Sequence, residues 1–372
     1  MTDAADYVVV GAGLAGAAAA WRLAAAGRDV VLLEQFEPGH RHGSSHGSAR
    51  IFRYAYPQEL YAGLVVDARR GWDELAEQSG QDLITTTGAL DFGANRNAVE
   101  LAGVLTRVGV EHELLSADEA GERWPHLAFD SPVLWHPSAG VIDADRAVAT
   151  MVELARSFGA NVLSGWQVAS IRRANGRYQV ASEHGDVLDA AHVVVAAGGW
   201  LPDLLAELPL PPAFLSAFPA LTVRQEQAFH FPYRDELAAW PTFVYKSPEI
   251  QTYGLPGGRD AGNAGQKVAE FNGGRVIRSA AAQDGVVDPS NRERVTRYVE
   301  RHLPGLVPEP YAETTCLFTS TPTEDFVIDS IDGLTVVSPC SGHGAKFAPS
   351  IGRWAADAAM GTGPVPDAFR VR

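Results

Sequence analysis

Gly11-Ala12-Gly13-Leu14-Ala15-Gly16 is the first stretch whose residue types and spacing imply chemistry. It follows an apolar run, Tyr7-Val8-Val9-Val10, and opens an alanine-rich helical stretch over 17–26 that closes at Gly27. Glycines so spaced permit a tight turn and let the backbone approach a pyrophosphate, which then faces a helix N-terminus. Asp29-Val30-Val31-Leu32-Leu33-Glu34 is a second buried-type strand. It ends in an acid about 20 residues on, placed to accept hydrogen bonds from an adenosine ribose. An acid there favours a free ribose hydroxyl, hence FAD or NAD and not NADP. Residues 38–53 then form a polar loop dense in Gly, Ser, His and Arg, including Ser44, Ser45, His46, Arg50 and Arg53. Convergent cations in such a loop suit an anion. Near the end of the chain stand Cys316, one of two cysteines, and Ser341-Gly342-His343-Gly344-Ala345-Lys346-Phe347, a Gly-rich turn that opens a helix. A lone cysteine in a strand reads by itself as a small buried residue.

The elements that must position these residues are legible in outline. The strand, glycine turn, helix, strand and acid of the first 34 residues predict a nucleotide-binding α/β unit. Apolar spacing predicts helices over 60–79 and 95–108 and a strand-turn-strand over 84–92. Ser116-Ala117-Asp118-Glu119 is a capping box, and 143–158 reads as a helix with acids in its first turn and Gly159 at its end. Residues 168–171, 178–181 and 187–188 read as a small antiparallel set, and 191–200 as a buried strand ending in Gly198 and Gly199. The region 215–285 is strand-rich, with glycine turns at 256–258 and 272–274. Asp288-Pro289 starts a helix to about residue 302, with Asp as cap and Pro at the first position.

A chain of 372 residues can bury a large core and is expected to form two domains. Its net charge of −15 argues against nucleic acid or an anionic membrane as partner. Two cysteines make no disulfide framework, so a reducing, cytoplasmic compartment fits. No signal peptide or membrane span is read from the sequence, and no metal site is expected.

Gly43-Ser44-Ser45-His46-Gly47 with Arg50, Arg53 and Tyr54-Ala55-Tyr56, the stretch around Cys316, and the Ser341–Phe347 turn resemble three signatures of the monomeric sarcosine oxidase and N-methyltryptophan oxidase family. These are D-amino acid oxidase-like FAD-dependent amine oxidoreductases. The resemblance spans nearly the whole chain. It implies an α/β, two-domain flavoprotein: a discontinuous Rossmann-like FAD-binding domain of 1–85, 143–214 and 315–372, and an antiparallel-sheet substrate domain of 86–142 and 215–314. It implies FAD joined to Cys316 by an 8α-thioether, with Cys340, which replaces an aromatic residue of the pattern, left to packing. Gly11, Gly13, Gly16, Glu34, Ser44, Ser45, Val168, Gly198, Gly342 and Gly344 would contact the cofactor. Arg50 would lie against the flavin ring, and His46 in the loop near it. Arg53 and Lys346 would hold a substrate carboxylate, a planar fork and a point charge together. Lys267, in Ala264-Gly265-Gln266-Lys267-Val268-Ala269-Glu270-Phe271, would activate oxygen, and Tyr253 would add a hydroxyl. The implied reaction is oxidation of a secondary, N-methyl α-amino acid by a monomeric enzyme, with oxygen reduced to hydrogen peroxide. Phe271 and Phe318 depart from the sarcosine oxidase pattern of histidine and tyrosine, so sarcosine itself is not implied. Two alternatives stay open: a flavin enzyme acting on a cyclic imino acid in a biosynthetic pathway, and an NAD-binding protein with no redox role for Cys316.

Overall fold

The computed structural model describes residues 4–235 and 238–372. Apolar runs build its first sheet. Ala4–Val10 lies parallel between Val30–Leu33 and Val187–Val195, with Val8 opposite both Val31 and Val193. Such unbroken Val and Leu runs belong to strands covered on both faces, and Val8 and Val9 are wholly buried. Asn161–Leu163 extends the sheet beyond Val30–Leu33. Leu334–Ser338 joins Val187–Val195 in parallel, so the end of the chain returns to the sheet that the beginning started. Val168–Ala174 and Arg177–Ser182 add the expected antiparallel flank. The Leu14–Ala25 helix packs on this sheet, against the Ala144–Ser157 and Ala348–Met360 helices.

The second sheet runs in the order Arg275–Ile277, Thr222–Pro232, Gly265–Glu270, Gln251–Pro256, Thr242–Lys246, Ala89–Phe92, Val133–His136, Glu113–Leu115. All its pairings are antiparallel except that of Thr242–Lys246 with Ala89–Phe92. One face is apolar and packs on the Pro289–His302 helix through Phe229, Phe231, Phe243 and Val268. The other face carries Lys267, Tyr253 and Cys316. The caps expected at Ser116 and Asp288 are present, as a capping box of Ser116 with Glu119 and as Asp288 accepting from Ser290 N; Asp143 also caps its helix, accepting from Arg146 N.

The structure adds to or departs from the sequence reading at three places. Ile84–Thr86 and Ala89–Phe92 are the two strands expected on either side of the turn, and they belong to different sheets. The first pairs with Gly140–Ile142 in a three-stranded sheet with Arg50–Phe52, and the second joins the large antiparallel sheet. Arg50 therefore sits on a short strand and not in a loop. Ala312–Ser320 pairs with Thr222–Pro232 along nine positions, so the expected domain boundary at 315 falls inside a strand of the antiparallel sheet.

The long Glu59–Ser79 helix ties the C-terminal turn in place. Trp72 is buried and donates from Nε1 to the carbonyl of Lys346 at 2.7 Å, and Tyr61 donates to Asp325 at 2.8 Å. Full burial of one large apolar side chain contributes about 1.5–3 kcal/mol, so this helix holds Lys346 more firmly than its own short turn could.

Candidate active site

The Gly11 backbone has φ +97°, and a Cβ there would lie 2.6 Å from the carbonyl oxygen of Ala196. Only glycine lets the chain turn this closely past the neighbouring strand. Gly16 is off the cavity wall. A Cβ on it would lie 1.8 Å from the Gly11 carbonyl oxygen, so its role is to let helix and strand close up. The Leu14–Ala25 helix has no side-chain cap from Gly13; instead Leu14 N donates to Ser45 Oγ at 3.0 Å. Glu34 ends its strand buried, accepting from Ala12 N at 2.8 Å and Phe36 N at 3.0 Å, with His40 3.4 Å away. Burial opposes its charge, but His40 and these two N–H groups outweigh that and hold the carboxyl below its ordinary value.

These groups open onto a cavity of about 480 Å³, within the range of cofactor sites. Gly11, Gly13, Glu34, Ser44, Ser45, Arg50 and Val168 line it, as do Gly198, Cys316, Gly342 and Gly344. Ser44 donates to the Leu317 carbonyl at 2.6 Å, which fastens the cationic loop to the Cys316 strand. A glycine cradle, a helix N-terminus and a buried acid at the strand end together fit a dinucleotide.

A second cavity, of about 240 Å³, adjoins the first. The two share Arg50, Cys316, Phe318, Gly342 and Ala345. Arg53, Lys346, Lys267, Tyr253 and Phe271, drawn from four separate stretches of sequence, all line the second. The Arg53 guanidinium lies 4.4 Å from the centre of the Tyr56 ring, and the Lys346 ammonium 5.5 Å from it. Arg53 donates to the Ala55 carbonyl and Lys346 to that of His343. Among the described residues neither has a carboxylate within 4.0 Å. Lys346 is 3% exposed, and burial together with Arg53 pulls its pKa well below that of an ordinary amine. The pair is a preformed cation site without a counter-ion.

Lys267 faces His230 across the sheet and donates to the Ala49 carbonyl at 3.4 Å. Burial, reinforced by Arg50, pulls its amine down to about 8. Burial pushes the Tyr253 phenol far up, so it stays a neutral donor. His46 lines neither cavity, against the expectation of a catalytic role. It is 5% exposed, and burial with the charges of Arg50 and Lys267 holds it down to about 3. The imidazole is therefore neutral and lies off both cavity walls. Cys316 is on the wall common to both cavities, and burial raises its thiol pKa. Cys340 reaches only the first cavity, and its sulfur accepts from Thr319 N at 3.4 Å.

The structure adds residues that the motifs did not reveal. Arg96 and Lys246 line the second cavity. Glu226 is 1% exposed and directly opposite Cys316 in register, and burial pushes its carboxyl up to about 7. Arg224, Glu226 and His230 stand at even-numbered positions of Thr222–Pro232, a spacing that places them on one face with Ala228. That alternation was the available signal. For Arg96 and Lys246 there was none.

The family description "FAD dependent oxidoreductase" matches residues 6–358, and the chain belongs to this family of FAD-dependent oxidoreductases. It is 31% identical over 372 residues to the N-methyl-L-tryptophan oxidase of Yersinia pestis (strain Pestoides F), covering 94% of each chain. The resemblance read from three blocks of sequence is borne out at that level. Two solved structures share the fold. NikD, an unusual amino acid oxidase essential for nikkomycin biosynthesis, superposes with a TM-score of 0.87 at 24% identity, over 100% of this chain and 98% of the other. L-proline dehydrogenase from P. horikoshii gives 0.83 at 20% identity, over 98% and 96%.

Proposed function

We propose that this enzyme is an oxidase of secondary, N-methyl α-amino acids, taking the C–N bond to an imine and passing the electrons to oxygen to give hydrogen peroxide. The observation that carries this reading is the Arg53–Lys346 pair, a half-buried and a buried cation that among the described residues have no carboxylate within 4.0 Å, in a cavity that adjoins the larger one. An α-carboxylate is the anion suited to a planar fork beside a point charge. The N-methyl-L-tryptophan oxidase relative supports the substrate class. FAD, when bound, supplies the acceptor for a hydride equivalent from the substrate carbon. The chain supplies position and charge. Arg53 and Lys346 fix the carboxylate, Phe271 and Phe318 exclude water, and Tyr253 offers a hydroxyl. The surrounding cations disfavour a charged substrate amine, so the neutral amine required for oxidation is the form that binds. Water hydrolyses the product imine, releasing formaldehyde when the group lost is N-methyl. Cys316 is the residue proposed to hold the cofactor covalently. Two unpaired thiols suit a cytoplasmic enzyme, and among the described residues no helix is long and apolar enough to cross a membrane.

Arg53→Met and Lys346→Met each remove one charged partner of the carboxylate. Such a bond contributes roughly 1.5–3 kcal/mol, so anaerobic titration should show the substrate dissociation constant rising about ten- to hundred-fold. An enzyme that prefers amines without a carboxylate would overturn the assignment.

A pH dependence follows from Lys267. It carries its positive charge below its pKa of about 8 and loses it above. If that charge assists oxygen, the second-order rate with oxygen is highest below about 8 and falls as pH rises through it. Rapid mixing of reduced enzyme with oxygen reads this directly. A rate that stays level across that pH removes Lys267 from the oxygen step.

A further inference from the structure

The smaller cavity carries more positive charge than one α-carboxylate can answer. Its wall holds six cations, Arg50, Arg53, Arg96, Lys246, Lys267 and Lys346, against one acid, the exposed Glu324. This is a concentrated field in a chain of net charge −15. Arg96 is answered within the protein: its Nε lies 2.6 Å from Asp91 Oδ1, and His136 engages the other oxygen of that buried carboxylate at 2.9 Å. A second Arg96 nitrogen donates to the Ala55 carbonyl that Arg53 also uses. Arg50 belongs to the wall shared with the cofactor cavity, and Lys267 donates to Ala49 beside it. Arg53 and Lys346 take the α-carboxylate in the reading above. Lys246 is left over.

Lys246 ends the Thr242–Lys246 strand, two residues from Val244, which pairs with Tyr253. Alternation along the strand puts Lys246 on the same face as Val244 and hence on the Tyr253 side of the sheet. Among the described residues it makes no ion pair within 4.0 Å. Burial, with Arg96 and Arg53 nearby, pulls its amine below the ordinary value. A partly desolvated cation next to two others is destabilised until an anion meets it. Phe271 and Phe318 line the same cavity with their rings 5.9 Å apart and supply apolar surface for a carbon chain. The cavity, about 240 Å³, is small beside the roughly 300–1,000 Å³ of pockets for drug-sized ligands.

We propose that the substrate is a short acidic amino acid bearing a secondary, N-methyl amine, whose side-chain carboxylate rests on Lys246 while its α-carboxylate rests on Arg53 and Lys346. This inference rests on the amine-oxidase reading. The holoenzyme, titrated anaerobically with N-methyl-L-glutamate and with its uncharged isostere N-methyl-L-glutamine, tests it through the flavin absorbance. The dicarboxylate is expected to bind about tenfold tighter or more. In Lys246→Met that ratio collapses toward one, and in Lys246→Arg it is retained. Equal dissociation constants in the native enzyme, or a ratio that Lys246→Met leaves intact, overturn this inference alone. If no N-methyl amino acid reduces the flavin, the oxidase reading and this inference fall together. The native comparison decides the matter even where the Lys246→Met protein does not fold.

Discussion

Replacing Lys267 by methionine should slow the reaction of reduced enzyme with oxygen by on the order of 10²–10³. Reduction by substrate should survive within about an order of magnitude. The reason for the split lies in where charge develops. Electron transfer to oxygen creates negative charge on a molecule that had none. A fixed cation in a dry site stabilises it far more than water could, because no reorganisation is needed when the charge arrives. Lys267 is 5% exposed, lines the smaller cavity and is oriented by the Ala49 carbonyl. In the proposed reading the substrate carboxylate is held by Arg53 and Lys346, which line the same cavity, so substrate binding should not depend on Lys267. Rapid mixing of each half-reaction separately gives both rates. If the variant reacts with oxygen at the native rate, Lys267 is structural and Arg50, which among the described residues makes no ion pair within 4.0 Å and stands on the shared wall, becomes the candidate.

Cys316→Ala should abolish acid-stable flavin altogether. Native protein precipitated in acid is expected to keep its yellow colour in the pellet, and the denatured chain to carry the mass of one FAD. In the variant the colour moves to the supernatant. Both cysteines reach the larger cavity, so proximity alone does not choose between them. Two observations favour Cys316. It lines both cavities, and the proposed reading puts the reactive ring where they meet. Cys340 faces only the larger cavity and its sulfur already accepts a backbone hydrogen bond. Cys340→Ala should leave the pellet yellow. Flavin released from the native protein by acid defeats the linkage, and release by Cys340→Ala in place of Cys316→Ala assigns it to the other thiol.

Much of the nucleotide-binding half was legible because its determinants are local. The apolar run of Val8, Val9 and Val10, the glycines at 11, 13 and 16 and the acid at 34 lie within one strand-helix-strand unit. Each acts through backbone conformation or burial over a few residues. The caps at Ser116, Asp143 and Asp288 are local for the same reason, since a cap bonds an N–H two or three residues ahead. Cys316, Arg53 and Lys346 could be singled out as candidates from their surrounding motifs, but not placed beside one another.

Tertiary structure alone decided the rest. Pairing of Ala312–Ser320 with Thr222–Pro232 sets Cys316 opposite Glu226, two residues ninety positions apart in the chain. The Glu59–Ser79 helix, through Trp72, holds Lys346 where it meets Arg53 around Tyr56. His46 is only four residues from Arg50, yet Arg50 lines the cavities and His46 lines neither. Local sequence cannot settle which face a side chain takes, because a one-residue shift in register reverses it. The charge of the smaller cavity is likewise a sum over elements that meet only in the fold: Lys246 and Arg96 carry no motif, and the antiparallel sheet brings the first, and the turn after Ala89–Phe92 the second, to the cavity that holds Arg53 and Lys346.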